Sequence, residues 1–197
     1  MRTPGSPSSA SPGRAPKPTP LLVLGLGNLL LGDDGLGPVA VHRLTRRYDV
    51  PEGVLVLDGG TLGLSLLPYL EDAQRALLVD AIRADGPPGT LVRLEGDEVA
   101  PAVAARLSPH QVGVADLLDG ARWRDRYPEP LILLGVVPRS LDLRVGLSPS
   151  VEAALPGLLE RIVAEAAALG FPFCPSAEGD DSTPARRACA LPHVFGV

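Results

Sequence analysis

The sequence predicts an α/β fold in three layers, in which a twisted, mostly parallel five-stranded sheet is flanked by helices. Two observations predict this fold: short, almost continuous apolar runs recur along the chain, and segments with the apolar spacing of helices lie between them. Strands that are apolar at every position are buried on both faces, as in parallel sheets covered by helices. With 197 residues, 45% of them hydrophobic, the chain is long enough for one such domain.

Five strands are predicted, each from an apolar run that stops at polar or turn-forming residues. They cover residues 21–26, 54–57, 76–79, 90–94 and 131–137. A turn sequence, Asp85 to Gly89, precedes the fourth strand. We therefore expect that strand to pair at an edge of the sheet, as a hairpin or beside a neighbouring strand.

Four helices are predicted between and after these strands. They cover residues 38–48, 62–70, 114–123 and 149–170. We expect Ser148 to be the N-cap of the last helix and Gly170 to end it. Pro156 lies inside this helix, where it should kink the helix or separate its first turn.

The two ends of the chain differ in composition from the central segment. Residues 1–20 are rich in proline and serine, and residues 171–197 contain further prolines, an acidic pair and both cysteines. Neither end shows apolar periodicity, so we expect disordered arms on either side of a folded segment, residues 21–170. Because Cys174 and Cys189 both lie in the C-terminal arm, they supply no disulfide framework for the core and fit a reducing cytoplasm.

Composition also excludes several classes of protein. The chain contains no stretch of about 18 apolar residues that could cross a membrane, and its first residues lack the continuous apolar region of a secretion signal. The net charge is −5 and aromatic residues make up 4% of the chain, which offers neither a basic surface nor stacking residues for nucleic acid. We therefore expect a cytoplasmic protein that binds neither nucleic acid nor membranes.

Acidic residues follow three of the predicted strands. Asp33 and Asp34 come after the first strand, Asp58 ends the second, and Asp80 ends the third. Because parallel strands place their carboxyl ends at one edge of a sheet, we expect these carboxylates to converge there. Together with His110, in the loop before the third predicted helix, Asp34 and Asp80 would suit a borderline divalent ion such as nickel or zinc.

Each of these residues also has an ordinary structural explanation. Asp33 or Asp34 could cap the first helix, and Asp80 could form an Asx turn at the end of its strand. His110 could be a surface residue of its loop. Spacing alone therefore leaves the metal site as one of two interpretations.

A dinucleotide site is a further alternative. The Gly25-x-Gly27 pattern after the first strand and Asp58 after the second imitate such a site, but Leu30 occupies the position of its third glycine. Two carboxylates would also face the phosphates at the start of the first helix, where hydrogen-bond donors are needed. A covalent mechanism finds no support either, since the chain has no G-x-S-x-G motif.

Five motifs, in order along the chain, resemble those of the nickel–iron hydrogenase maturation endopeptidases. They are Gly25-Leu-Gly-Asn28, Gly32-Asp-Asp-Gly-Leu-Gly37, Asp58-Gly-Gly-Thr61, Leu78-Val-Asp-Ala-Ile82 and Ser108-Pro-His-Gln111. Together they extend over the predicted domain, residues 21–170. The resemblance implies a twisted, mostly parallel sheet between helices and, as is usual in that family, a monomer.

The resemblance also implies a function, because that family removes a short C-terminal extension from the hydrogenase large subunit after nickel insertion. Two acidic residues and one histidine of the family contact the metal, and they correspond to Asp34, Asp80 and His110. The turn that begins at Asp58 corresponds to a segment implicated in substrate recognition or cleavage. The resemblance thus implies an endopeptidase, of aspartic or metal-assisted type, with catalytic residues Asp34, Asp58, Asp80 and His110.

The partner implied by this resemblance is the precursor of a nickel–iron hydrogenase large subunit, which carries the nickel as part of the substrate. A maturation chaperone without catalytic activity would bind nickel through the same three ligands. A nucleotide-binding α/β protein is the remaining alternative.

Overall fold

The computed structural model describes residues 19–104 and 112–176 of the chain. The strands of these residues are β1 (Thr19–Leu26), β2 (Tyr48–Asp49), β3 (Val54–Gly60), β4 (Ala73–Ala81), β5 (Leu91–Glu95), β6 (Leu131–Val136) and β7 (Cys174–Pro175). Five of them form one sheet in the order β3-β1-β4-β6-β5. β1, β3, β4 and β6 are parallel, and β5 pairs antiparallel with β6 at one edge. The predicted mostly parallel, five-stranded sheet is confirmed.

Helices cover both faces of this sheet. Those of the described residues are α1 (Leu36–Arg47), α2 (Leu67–Asp72), α3 (Val99–Ala104), α4 (Val112–Trp123) and α5 (Pro149–Ala168). Short 3-10 turns lead into the first three, at Gly32–Gly35, Gly63–Leu66 and Gly96–Glu98. α1 and α5 pack on one face, and α2, α3 and α4 pack on the other. This is the predicted three-layer arrangement.

The interior strand β1 shows why the sheet must be covered on both faces. Its side chains alternate between the two hydrophobic cores: Leu21 and Val23 belong to the core under α1 and α5, whereas Leu22 and Leu24 belong to the core under α2 and α4. All four side chains are fully buried. Because successive residues of a strand point to opposite faces, an uninterrupted apolar run needs a layer of helices on each side.

Two helices differ from the prediction. α3 was not predicted, because its six residues contain Pro101 and bury only Val99 and Val103, too few positions to show a helical period. α5 runs through Pro156 without a break. Pro156 removes one backbone hydrogen bond, but the buried residues of α5, among them Leu155 and Leu158, hold the helix against the sheet on both sides of it.

Ser148 occupies the N-cap position of α5, as predicted, but its side chain does not cap the helix. The Ser148 hydroxyl donates instead to a carboxylate oxygen of Asp33, at a distance of 2.8 Å. The N-cap carbonyl still accepts the first helical hydrogen bond, from the backbone N–H of Glu152. Ser148 therefore joins α5 to the 3-10 turn Gly32–Gly35 that leads into α1.

The C-terminal segment is folded beyond the predicted boundary. β7 pairs antiparallel with β2, and the backbone N–H of Ser176 donates to the carbonyl of Arg47 at 2.9 Å. Phe173 is buried in the core under α1 and α5, with its ring edge-on to that of Tyr48. The expectation of a disordered arm from residue 171 is therefore wrong for residues 171–176, because their aromatic side chains complete this core. Thr19 and Pro20 likewise belong to β1 and not to an arm.

Cys174, in β7, is disulfide-bonded. The expectation of a reduced thiol at this position is therefore wrong. None of the helices in the described parts of the chain is long and apolar enough to span a membrane.

Candidate active site

The acidic residues that were expected to converge lie at one edge of the sheet. β3, β1 and β4 are consecutive neighbours and run parallel. The 3-10 turn Gly32–Gly35, here called the acidic turn, follows β1 and contains Asp33 and Asp34. Asp58 is near the end of β3, and Asp80 is next to the last residue of β4. The carboxyl edge of three adjacent strands thus collects four carboxylates.

Gly37 explains how the acidic turn is held close to both β1 and β4. A Cβ atom on Gly37 would lie 2.2 Å from the carbonyl oxygen of Leu26 and 2.4 Å from that of Val79. The first turn of α1 therefore contacts the ends of both strands through bare backbone. Val79 immediately precedes Asp80, so this contact brings the acidic turn next to the strand position of Asp80.

Asp34 is almost completely buried at the end of the acidic turn. One of its carboxylate oxygens accepts a hydrogen bond of 2.8 Å from the backbone N–H of Asn28. Its own N–H donates to the carbonyl of Leu31 at 3.1 Å. These bonds fold the segment after β1 back on itself, and they fix the direction of the Asp34 carboxylate. Asp34 does not cap α1, whose N-cap residue is Gly35.

Asp80 has no solvent exposure, although it carries a carboxylate. It lies within β4, since the strand continues to Ala81, and it is in register with Gly135 of β6. The expectation that Asp80 ends its strand is therefore wrong by one residue. Burying a carboxylate costs free energy unless it has polar or charged partners, so buried acids are concentrated at functional sites.

Asp58 is exposed, in contrast to the two buried acids. Its Oδ1 atom accepts a hydrogen bond of 3.0 Å from the backbone N–H of Gly60. The Asx turn that was considered for Asp80 is therefore made by Asp58. Gly60 has a positive φ of 42°, and a Cβ on Gly59 would lie 2.7 Å from the side chain of Leu24. Both glycines are needed for this turn, as expected from the motif.

Asp33 has a different environment from its neighbour Asp34. Its two oxygens accept hydrogen bonds from the backbone N–H groups of Arg139, Ser140 and Ser148 and from the Ser148 hydroxyl. Burial raises the pKa of the Asp33 carboxyl, but these four hydrogen bonds outweigh burial and leave the pKa below its usual value. Asp33 is thus an ionised carboxylate bound by the loop between β6 and α5, residues 137–148.

His110 lies outside the described residues, so its place relative to Asp34 and Asp80 stays a prediction. Among residues 19–104 and 112–176, no three histidine, cysteine, aspartate or glutamate side chains cluster closely enough to hold a metal ion. The motif Ser108-Pro-His-Gln111 predicts His110 as the metal contact beside Asp34 and Asp80.

Large apolar side chains are exposed around the same edge of the sheet. They follow the carboxyl ends of β1, β3 and β6, and we call them the apolar rim: Leu29, Leu30, Leu62, Leu64, Leu143 and Val145. Leu143 and Val145 are 82% and 78% exposed. The backbone N–H of Arg144, between them, donates to the carbonyl of Leu30. Grouped exposed apolar residues are typical of surfaces that bind another protein.

Sequence reasoning missed the hydrogen bonds of Asp33 and the apolar rim. The adjacent aspartates look alike in sequence, and the partners of Asp33 are more than 100 residues away. A signal for the rim was present, because Leu29 and Leu30 follow a complete strand without any helical period. Exposure, however, depends on the tertiary packing of all three loops.

Comparison with known proteins gives consistent results. A sequence profile of the hydrogenase maturation proteases matches residues 38–165, a range that includes Asp58, Asp80 and His110. A hydrogenase 2 maturation protease of Escherichia coli is 41% identical over 145 residues, which are 73% of this chain and 88% of that protein. A hydrogenase expression/formation protein of Azotobacter vinelandii is 39% identical over 157 residues, covering 75% of this chain and 76% of that one.

Solved structures agree with the sequence relatives. A hydrogenase maturating endopeptidase from E. coli superimposes with a TM-score of 0.77 at 38% identity, covering 81% of this chain and 99% of that one. A nickel–iron hydrogenase maturation protease from Thermococcus kodakarensis gives a TM-score of 0.60 at 31% identity, with coverage of 76% and 99%. On the sequence match, the fold and the site motifs together, this chain belongs to the family of hydrogenase maturation proteases.

Proposed function

We propose that this peptidase removes the C-terminal extension of a nickel–iron hydrogenase large-subunit precursor after nickel has been inserted. The observation that carries the proposal is the pair of buried carboxylates, Asp34 and Asp80, at the carboxyl edge of β1 and β4. Family membership supplies the reaction class, since the related proteins are hydrogenase maturation proteases.

We further propose that Asp34, Asp80 and His110 contact the nickel that the precursor brings. Two carboxylates and an imidazole are suitable donors for a borderline divalent ion. A protein with only these three donors leaves coordination positions to the ligands of the substrate. In this arrangement nickel belongs to the substrate, and cleavage depends on its insertion.

Cleavage is a hydrolysis: water adds to the scissile carbonyl carbon, the C–N bond breaks, and the new amine takes up a proton. Asp58 is the carboxylate best placed to accept the proton of that water, because it is exposed at the same edge. Its Oδ1 atom accepts a hydrogen bond from the N–H of Gly60, which holds the carboxylate at the turn. A carboxylate oriented in this way can deliver the proton to the leaving amine afterwards.

The apolar rim fits the same proposal. A hydrolase that acts on a folded precursor needs a surface around its site for that protein, and six exposed apolar side chains surround this edge. We propose that the large-subunit precursor packs against them while its C-terminal segment reaches the carboxylates. The protein is expected to act as a cytoplasmic monomer.

The test is the intact mass of the hydrogenase large subunit in host cells with and without this gene. We expect the subunit to be longer by a short C-terminal peptide in the deletion strain, and Asp34→Ala, Asp80→Asn or His110→Ala to fail to restore its mature mass. Asp116→Asn, an exposed carboxylate on α4, is the matched control and should restore processing fully. An unchanged subunit mass in the deletion strain would overturn the proposal.

A non-catalytic nickel chaperone was the main alternative, and family membership among the proteases does not favour it. The same experiment separates the two, since a chaperone would leave the length of the precursor unchanged. A nucleotide site is equally disfavoured, because Asp33 and Asp34 are buried at the start of α1, where phosphates would bind.

A further inference from the structure

Asp33 and Asp34 are neighbours in sequence, yet their carboxylates bind different parts of the molecule. Asp34 bonds within its own segment, to the N–H of Asn28. Asp33 bonds to the loop between β6 and α5, more than 100 residues away. Both oxygens of Asp33 already accept hydrogen bonds, and only 1% of the residue is exposed. We therefore do not assign Asp33 a contact with the substrate.

We propose that Asp33 is a positioning residue, whose carboxylate binds the 137–148 loop to the acidic turn and thereby fixes the place of Asp34 for peptide-bond cleavage. This inference rests on the proposed function. It adds a residue outside the proposed ligand set of Asp34, Asp80 and His110, and it assigns different roles to the two adjacent aspartates.

The backbone of the two segments supports this role. The N–H of Gly32 donates to the carbonyl of Arg144 at 2.7 Å, and the N–H of Asp33 donates to the carbonyl of Ser140 at 3.2 Å. These hydrogen bonds between the acidic turn and the loop are made by Gly32 and Asp33, and Asp34 follows directly in the chain. A turn fixed on one side by the loop and on the other by Gly37 against β1 and β4 has little freedom to move.

The chemistry of the site requires a carboxylate and not an amide. The Oδ1 atom faces the N–H of Ser148, and the Oδ2 atom faces three donors, from Arg139, Ser140 and the Ser148 hydroxyl. A carboxylate is an acceptor on both oxygens, whereas asparagine carries two N–H donors on one side. In either orientation, Asp33→Asn places an NH₂ group against at least one N–H donor, without a change of volume.

The test uses the full-length protein and measures kcat and KM for precursor cleavage, well below the melting temperature of each variant. Asp33→Asn is expected to lower kcat about 10- to 100-fold, as when a reacting group is misplaced by about 1 Å, with a smaller change in KM. Ser148→Ala removes one of the four donors, so its kcat should fall only a few-fold. Asp142→Asn changes a carboxylate of the same loop that bonds to Ser140 and not to the acidic turn, and it should keep wild-type kcat.

Amide hydrogen exchange measured on the same proteins separates positioning from general stability. In Asp33→Asn, exchange should increase in peptides covering residues 28–36 and 137–148, and it should stay unchanged in β4 and α4. A wild-type kcat in Asp33→Asn, or an increase in exchange across the whole chain, would overturn the inference. If Asp33→Asn does not fold, a wild-type kcat in Ser148→Ala overturns it. Failure of the wild-type protein to cleave the precursor would instead refute the proposed function itself.

Discussion

Gly37 lies where α1, β1 and β4 come closest together. A side chain there would meet backbone atoms at 2.2 to 2.4 Å, and these atoms belong to the strands that carry the candidate site. Gly37→Ala should therefore separate α1 from the sheet and reduce the free energy of unfolding by about 3 kcal/mol or more. Urea denaturation followed by circular dichroism measures this change.

Gly120 is the matched control for that substitution. It lies inside α4, where an added Cβ would come no closer than 3.7 Å to Leu67. Gly120→Ala should be neutral or stabilise the protein by about 0.5 to 1 kcal/mol, because alanine loses less backbone entropy in a helix. Equal effects of the two substitutions would show that Gly37 is not under steric constraint.

The adjacent buried aspartates Asp33 and Asp34 show what a sequence motif can and cannot predict about single residues. The spacing of the motif correctly indicated acids at the carboxyl edge, because that follows from strand direction alone. It did not indicate which aspartate binds the 137–148 loop, since this depends on where three distant N–H groups lie. The predicted metal contact of His110 remains a prediction for the same reason.

Secondary structure was most predictable where one physical requirement dominated. The apolar runs identified the strands of the main sheet, because strands buried on both faces leave a signal that needs no tertiary information. α3 was missed, and a break at Pro156 was expected wrongly, because both depend on packing against the sheet. In α5, contacts of Val151 and Leu155 before the proline and of Ile162 after it outweigh the lost hydrogen bond.

α5 is joined to the antiparallel edge strand by an ion pair. Arg93 of β5 donates to both oxygens of Glu165, at 2.7 and 3.2 Å, and Arg161 donates to one of them at 3.0 Å. The hydrogen bonds from Arg93 lower the pKa of Glu165 from its ordinary 4.5, and burial opposes this only in part. Glu165 is therefore more stable in its ionised form in the folded protein than in the unfolded chain.

A pH dependence of stability follows from this pair. Because the folded pKa of Glu165 is lowered, its contribution is fully present above pH 4.5 and is lost as the pH falls through the lower folded value. Glu165→Gln should reduce the free energy of unfolding by about 1 kcal/mol at pH 7, since the pair is partly exposed. The difference between variant and wild type should shrink below pH 4.5, as measured by denaturation across pH 3 to 7. A stability difference between Glu165→Gln and wild type that does not change with pH would contradict this role of the Glu165 carboxylate.

At the scale of the whole molecule, the C-terminal segment completes one of the two cores. Phe173 packs against Tyr48 and the α1–α5 core, with 4% of its surface exposed. Phe173→Ala should cost about 3 to 4 kcal/mol of stability, as expected for a buried aromatic side chain. Phe171 is partly buried beside the same core. Phe171→Ala should therefore reduce the free energy of unfolding by less than Phe173→Ala does. Thermal unfolding of both variants tests this prediction. Wild-type stability in Phe173→Ala would contradict it.

Among the described residues, the carboxyl ends of the parallel strands combine exposed apolar side chains with the buried acids Asp33, Asp34 and Asp80. Trp123 is 93% exposed and lies at the end of α4. The chain then turns back toward the start of β6, where the N–H of Glu129 donates to the carbonyl of Gln74 near the start of β4. Trp123 is therefore near the amino ends of these strands. Trp123 and the rim residues Leu143 and Val145 are thus similarly exposed at opposite edges. Substitutions at the two places can therefore show whether precursor binding depends on exposed apolar surface in general or on apolar residues beside the carboxylates.

If the precursor binds at the apolar rim, replacing Leu143 and Val145 together by serine should raise KM for processing about 30-fold. Each side chain loses about 1 kcal/mol of apolar contact with the partner. The melting temperature should not change, because both residues are exposed in the free protein. Trp123→Ser should leave KM unchanged, since α4 ends there shortly before the start of β6, whereas the carboxylates follow the ends of β1, β3 and β4. A larger rise in KM from Trp123→Ser than from the rim variant would contradict this prediction. It would place the precursor-binding surface at the opposite ends of the strands, away from the buried acids.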